Sequence, residues 1–324
     1  MNVLQVLVCG TNYGRIYLEA IRLGGPAYKL VGVLARGSPV SQLVAHQYGI
    51  PLYRHIEDLP LGIDFACAAM GACGSDVVLG LLSRGIHVLC EHPPKSSHLL
   101  AALDLANSSD LCFHINGHFA NLEAAAAFVD LCRRKSGVMP ACFFHVTATD
   151  RSLYAVVDIL RRVLVSFTPC ELKLTSRLPP FTTIQGLLAG IPVTFDLQSG
   201  DSQRPLADSS PEYLVDHRIV VGFPFGILTL LSVNGPVIWN ANLNQGTPRN
   251  EAIFTIAHED RTLTIERLHE QRVCANLSAI LALAQNIRDR ATPPEQTRDY
   301  LLDVSGLWEN LGALLLDRTL TPMS

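Results

Sequence analysis

Three stretches carry residues whose types and spacing could do chemistry. The first is Val8-Cys9-Gly10-Thr11-Asn12-Tyr13-Gly14-Arg15. A dinucleotide pyrophosphate needs a tight turn, close backbone approach and N–H groups at a helix N-terminus, and Gly10 and Gly14 supply the first two. Asn12 stands where a second glycine is usual, and asparagine tolerates left-handed dihedrals better than most residues. The second stretch is Leu34-Ala35-Arg36-Gly37-Ser38, where an NAD site usually places Asp or Glu against the ribose 2′-OH. No acid is present. Arg36 can stack on adenine and pair with a 2′-phosphate, and Ser38 can donate a hydrogen bond, so the pattern favours NADPH. The third is Cys90-Glu91-His92-Pro93-Pro94-Lys95, whose histidine is the residue type suited to proton transfer near neutrality.

These stretches fall at the joints of a regular rhythm. Residues 3–9 form an apolar run suited to a strand buried on both faces, and residues 13–23 read as the helix after it. Strands over 28–35, 64–70, 87–90 and 111–115 alternate with helices over 40–48, 75–84 and 97–106. This βαβ pattern predicts a doubly wound parallel sheet, a Rossmann domain over residues 1–119. Ligands then lie beyond the carboxyl ends of the strands. Ala69, Met70 and Gly71 should pass close to the nicotinamide ribose, and Glu91, His92 and Asn116 should line the crevice.

After residue 120 the rhythm changes. Helices over 122–134 and 153–165 precede consecutive strands at 171–175, 181–185, 192–197, 217–221, 227–233, 237–239, 252–257 and 262–265. An Asn234-Gly235 turn fits a hairpin. Helices near 273–289 and 296–316 end the reading, and the polar residues 198–212 read as a loop or flap. The expected fold class is α/β, with an α+β domain over 120–324 built on a mostly antiparallel sheet.

Composition narrows the function classes. The 324 residues carry 25 basic and 29 acidic side chains, a net charge of −4, which gives no electrostatic reason for a nucleic-acid partner. The nine cysteines form no C-x-x-C pair and mostly sit in apolar runs, as reduced thiols do. No basic leader opens the chain and apolar runs break before the roughly 18 residues of a membrane span. A soluble, cytoplasmic protein is expected. His114 and His118 have i, i+4 spacing but span a strand and a turn, so no metal site is expected.

The Rossmann start, the Glu91-His92-Pro93 turn and the two-domain order resemble the glucose–fructose oxidoreductase/inositol dehydrogenase superfamily (Gfo/Idh/MocA-like). Most members carry Glu-Lys-Pro at that turn, and sugar dehydrogenases add a histidine shortly before an Asp on the next domain's first helix. Here the lysine is His92, and Leu153-Tyr154-Ala155-Val156-Val157-Asp158 has no histidine. Both departures resemble one branch, the thiazolinyl imide reductases of pyochelin- and yersiniabactin-type siderophore biosynthesis. His217-Arg218-Ile219-Val220-Val221-Gly222-Phe223-Pro224 and Gly235-Pro236-Val237-Ile238-Trp239 extend that likeness through the second domain. The resemblance implies NADPH-dependent reduction of the C=N bond of a thiazoline, held as a thioester on a carrier domain of a nonribosomal peptide synthetase. It also implies a homodimer.

That chemistry needs an acid at the ring nitrogen. His92 is the first candidate. The resembling reductases place a tyrosine at the position of Phe119, and phenylalanine cannot donate a proton, so His118 or Tyr154 could substitute or a bound water could do the work. His145, on an expected strand start, Asp158, Phe223 and Trp239 are candidates to line the substrate pocket alongside Phe119, although large aromatics at strand positions such as Phe223 and Trp239 are more often core. Two other readings are an NADP-dependent oxidoreductase of a free sugar or cyclitol and a non-catalytic NADP-binding protein.

Overall fold

A computed structural model describes residues 3–71, 74–92, 94–199, 216–242, 252–258 and 263–317. The first elements are β1 (Leu4–Cys9), α1 (Gly14–Leu23), β2 (Tyr28–Leu34), α2 (Pro39–Tyr48), β3 (Leu52–Tyr53) and β4 (Phe65–Ala68). They continue as α3 (Gly74–Ser83), β5 (His87–Glu91), α4 (Ser96–Ser108) and β6 (Phe113–Asn116). The six strands form one sheet in the order β3-β2-β1-β4-β5-β6, and every pair is parallel. This is the Rossmann order, with the chain reversing direction across the sheet beside β1. Val6, Val8 and Phe65 are fully buried, as expected of strands covered on both faces.

The second series is α5 (Glu123–Ser136), β7 (Phe143–Thr149), α6 (Leu153–Val163), β8 (Cys170–Leu178), β9 (Phe181–Leu188) and β10 (Ile191–Gln198). It ends with β11 (His217–Phe223), β12 (Gly226–Leu230), β13 (Val237–Ala241), β14 (Phe254–His258), α7 (Ile265–Asp289) and α8 (Arg298–Leu316). The eight strands take the order β14-β13-β12-β11-β7-β10-β9-β8. All pairs are antiparallel except β7 with β10, so the sheet is mostly antiparallel as the pattern predicts. The Asn234-Gly235 turn joins β12 to β13, with Gly235 at φ +91° and its carbonyl accepting from Ser232 Oγ at 2.8 Å.

Three expectations change. β7, in the middle of its sheet, is expected only as a strand start at His145, without an extent, because its apolar face (Phe144, Val146, Ala148) is diluted by His145, Thr147 and Thr149. Residues 262–265 are not a strand in their described part: Ile265 opens α7, which runs 25 residues rather than starting near 273. The chain also does not divide once near 120. It forms two units, one of Met1–His118 with Ile265–Ser305 and one of Phe119–Thr264 with Gly306–Ser324. The reason is that α7 packs Val273, Ile280, Leu283 and Ala284 into the same core as Tyr17, Leu18 and Ile21 of α1. The loop expected over 198–212 lies, from residue 200, outside the described residues. Among the described residues no helix is long and apolar enough to cross a membrane.

Candidate active site

The turn after β1 is built by backbone. Gly10 sits at φ +90°, and a Cβ there would stand 2.3 Å from the Ala69 carbonyl oxygen. Gly10 N donates to Leu34 O and Ala69 N donates to Cys9 O, each at 2.8 Å, so the turn is pinned from both neighbouring strands. Asn12 is not among the residues with positive φ, so its lack of a glycine's freedom costs nothing; the left-handed position is Gly10. Thr11 is buried and its hydroxyl lies 3.0 Å from Ser41 Oγ, while Arg15 Nε donates to Thr11 O at 3.2 Å. At the end of β2, Ala35 is buried and Arg36 exposed. Ser38 is the N-cap of α2, accepting from Ser41 N at 3.2 Å. Gly37, at φ +82°, leaves room for a residue the sequence reading missed: a Cβ there would lie 2.7 Å from Arg54 Nε.

A buried polar network occupies the ends of β5 and β6. Tyr17 donates to Glu91 Oε2 at 2.6 Å, and Asn116 Nδ2 donates to Tyr17 Oη at 2.6 Å and to Asn276 Oδ1 at 2.8 Å. His92 Nδ1 donates to the Asn116 carbonyl at 2.7 Å and lies 3.3 Å from Glu91 Oε1. A carbonyl can only accept, so Nδ1 carries a proton and Nε2 is the nitrogen that gains or loses one. His118 is 1% exposed, packs its ring 5.4 Å from that of His92, and lies 3.0 Å by Nε2 from Tyr13 Oη. Burial, then the charges of His92 and Arg272, hold the His118 imidazole well below its ordinary range. Burial pushes the Glu91 carboxyl up, opposed by the His92 charge and by the hydrogen bonds from Tyr17 and Asn116. Burial and the Glu91 charge also raise the Tyr13 and Tyr17 phenols.

Glu91, His92 and His118 bring one carboxylate oxygen and two imidazole nitrogens within 4.8 Å of one another, a spacing that metal ligands share. Here His92 Nδ1 is committed to a backbone carbonyl, and His118 to Tyr13. His114, its partner in the i, i+4 pair, is bonded instead to Asn286 Oδ1 at 2.8 Å. Tyr17 and Asn276 belong to the network yet carry no local signal: one reads as a core aromatic of α1, the other stands alone on α7.

The remaining predicted residues are in the second unit. Tyr154 is 4% exposed, with its ring edge-on to Trp308, and Asp158 is buried against Arg162 Nε at 3.4 Å. Trp239 and Phe223 pack as neighbours on the buried side of their strands, with Lys135 Nζ of α5 3.3 Å from the Trp239 ring centroid. His145 is half-buried and bonds Asp196 Oδ2 at 2.7 Å across the parallel pair of strands; Phe119 is also half-buried. A cavity of about 500 Å³ opens on this unit, lined by Thr147, Thr183, Asp196, His217 and Arg218 among others. Tyr154, Asp158, Phe223 and Trp239 are not part of its lining. His217, missed as a site residue, is 2% exposed and, among the described residues, has no hydrogen-bond partner at either ring nitrogen; burial lowers it to about 4.

Comparison with known proteins adds chemistry to this geometry. Residues 4–116 match the oxidoreductase family with the NAD-binding Rossmann fold, and residues 139–240 match the thiazolinyl imine reductase Irp3-like C-terminal family. Together they support a Gfo/Idh/MocA-type oxidoreductase. No curated protein matches the chain. Among solved structures, the chain is similar to an NAD-binding oxidoreductase from Klebsiella pneumoniae, with TM-score 0.73 and 9% identity over 98% of both chains. It is similar to an oxidoreductase from Agrobacterium radiobacter in complex with NAD+, L-tartaric acid and magnesium, at TM-score 0.70 and 13% identity over 97% of each chain. The UDP-N-acetylglucosamine 3-dehydrogenase from Acidithiobacillus ferrooxidans scores 0.70 at 13% identity, over 98% of this chain and 100% of its own. At such identities the likeness is one of fold.

Proposed function

We propose that the protein is an NADPH-dependent reductase of the C=N bond of a thiazoline held as a thioester on a carrier domain, in nonribosomal peptide siderophore assembly. The observation that carries this reading is the Irp3-like match over residues 139–240, because a Rossmann half alone does not separate imine from carbonyl chemistry. The residues present fit a dinucleotide. The Gly10 turn is a cradle that a Cβ would fill, and Asn116 Oδ1 is buried without a hydrogen-bond partner among the described residues. NADPH supplies a hydride to the ring carbon when bound. The turn from Gly10 to Gly14 and the start of α1 receive the pyrophosphate, and Arg36 favours the 2′-phosphate.

His92 delivers the proton to the ring nitrogen. Its Nδ1 is held by the Asn116 carbonyl, so the proton leaves from Nε2, and Glu91 Oε1 lies 3.3 Å from Nδ1. His118 is too strongly biased to its neutral form to act as the acid; it positions Tyr13 against the same cluster. This assignment needs no tyrosine at Phe119. A homodimer in the cytoplasm completes the reading, as the family resemblance implies.

The test is NADPH oxidation followed at 340 nm with a synthetic aryl-thiazolinyl-thiazoline thioester, beside a panel of free sugars and cyclitols, then with the carrier-loaded substrate. Turnover of the thioester or the carrier-loaded form supports the proposal. Turnover of a sugar alone replaces it with the free-substrate reading. NADPH binding without turnover of any substrate replaces it with the non-catalytic one.

A further inference from the structure

The end of β2 is not the only cationic strand end on this side of the sheet. β2 and β3 are parallel neighbours, with Val33 opposite Leu52 and Leu34 opposite Tyr53, and Ala35 N donates to Tyr53 O at 3.0 Å. Arg36 and Arg54 therefore leave two adjacent strands at the carboxyl edge, one residue beyond that last hydrogen bond. Adjacent strands stand about 4.8 Å apart, so the two cations start close together. The Arg54 guanidinium lies over the Gly37 turn: a Cβ on Gly37 would stand 2.7 Å from Nε, 3.0 Å from Cζ and 3.2 Å from Nη2. Glycine leaves that space open.

Among the described residues, neither Arg36 nor Arg54 makes a hydrogen bond or an ion pair. Other exposed arginines do find carboxylates: Arg134 with Asp130 at 2.8 Å, Arg290 with Asp110 at 3.0 Å, and Arg298 with Asp104 at 2.6 Å. Ser38, the other polar group of the turn, already accepts from Ser41 N and lies 2.9 Å from Ser41 Oγ. A doubly charged anion seated between two guanidinium groups that leave neighbouring strand ends gains two charge-assisted contacts.

We propose that Arg54 is a second specificity-determining residue for the cofactor, closing on the ribose 2′-phosphate from β3 while Arg36 closes from β2. This rests on the NADPH reading above and adds a residue to it. A guanidinium laid along a glycine turn presents its remaining N–H groups in a fixed fork, the geometry that binds phosphate oxygens in pairs. Gly37 thus acts twice, once through its left-handed φ and once by giving Arg54 its seat.

The experiment is isothermal titration of the full chain with NADPH, NADH, adenosine 2′,5′-bisphosphate and adenosine 5′-monophosphate, for wild type, Arg54→Ala and Arg54→Lys. Melting temperatures confirm that the variants fold. We expect Arg54→Ala to weaken NADPH and the bisphosphate about tenfold, the value of one charge-assisted phosphate contact. NADH and the monophosphate should change by less than about twofold, and Arg54→Lys should fall between, since lysine keeps the charge and loses the fork. Wild type that binds NADPH no better than NADH removes the NADPH reading together with this one. Wild type that prefers NADPH, with Arg54→Ala keeping the full preference, overturns the role of Arg54 alone.

Discussion

Replacing Gly10 by alanine tests the cofactor turn at its tightest point. The new Cβ would lie 2.3 Å from Ala69 O and 3.1 Å from Ala69 C, which are backbone atoms and cannot rotate away. Ordinary carbon–oxygen contact is roughly 3.2 Å, so a displacement of nearly 1 Å is needed, and overpacking of this kind costs about 1–3 kcal/mol. An alanine held at φ +90° adds about 1–3 kcal/mol of backbone strain. The turn cannot slide to relieve either, because Gly10 N and Ala69 N are both hydrogen-bonded to neighbouring strands. The expected total is about 2–6 kcal/mol, which at roughly 2–4 °C per kcal/mol lowers the melting temperature by about 10 °C. NADPH affinity, read by its fluorescence change, should fall at least about tenfold because the displaced backbone is the pyrophosphate seat. Gly14→Ala is the internal comparison: its Cβ would meet the Val8 side chain at 3.1 Å with no positive φ, so its loss should be much smaller. A Gly10→Ala protein that melts with wild type and binds NADPH equally well would refute the argument.

The other expectations can be checked separately. His92→Asn should cut turnover at least about tenfold with NADPH affinity near wild type, and undiminished turnover removes His92 from proton delivery. Burial lowers His114 and His217 to about 4, so between that value and the ordinary 6.5 the unfolded chain binds protons that the native one does not. Their contribution is complete above about pH 6.5 and is lost as pH falls, by about 2 kcal/mol each at pH 5, with the raised Glu91 opposing it; urea midpoints that stay flat from pH 7 to 5 would contradict this. Lys135→Ala should cost about 1 kcal/mol and shift tryptophan emission, because the ammonium leaves the Trp239 face; an unchanged spectrum and denaturation midpoint would rule the contact out.

The Rossmann half was legible because its signals are local. An apolar run, a glycine turn and an amphipathic helix follow one another within residues 3–23, and the structure forms β1 and α1 there. β7 shows in the sequence only as a strand start at His145, because its neighbours, β10 and β11, lie far along the chain and its alternate polar residues look like loop. Residues 262–265 looked like a strand because their types favour one, but the described part leads into α7, whose partner α1 lies some 250 positions earlier. The same distance hid Asn276, 160 residues from the Asn116 side chain it holds. Phe223 and Trp239 suit either a pocket or a core by type, and the alternation of β11 and β13 turns both inward. Arg54 follows a two-residue strand too short to show as a pattern.

The return of α7 to the first unit also sets an order of assembly. Domains form as units while the chain is synthesised, from the N-terminus onward. The six-stranded sheet is complete once Asn116 has emerged, yet Leu283 and Ala284 of its core, and the Asn276 that meets Asn116, arrive only after the entire second sheet. The unit that begins first therefore finishes late. Until then the nascent chain carries α1 with an uncovered apolar face and a glutamate–histidine cluster lacking its last partner. Closure of the dinucleotide-fold core thus waits for α7: a nascent protein halted at residue 264 holds every glycine of the turn after β1 and still lacks the helix that closes its core.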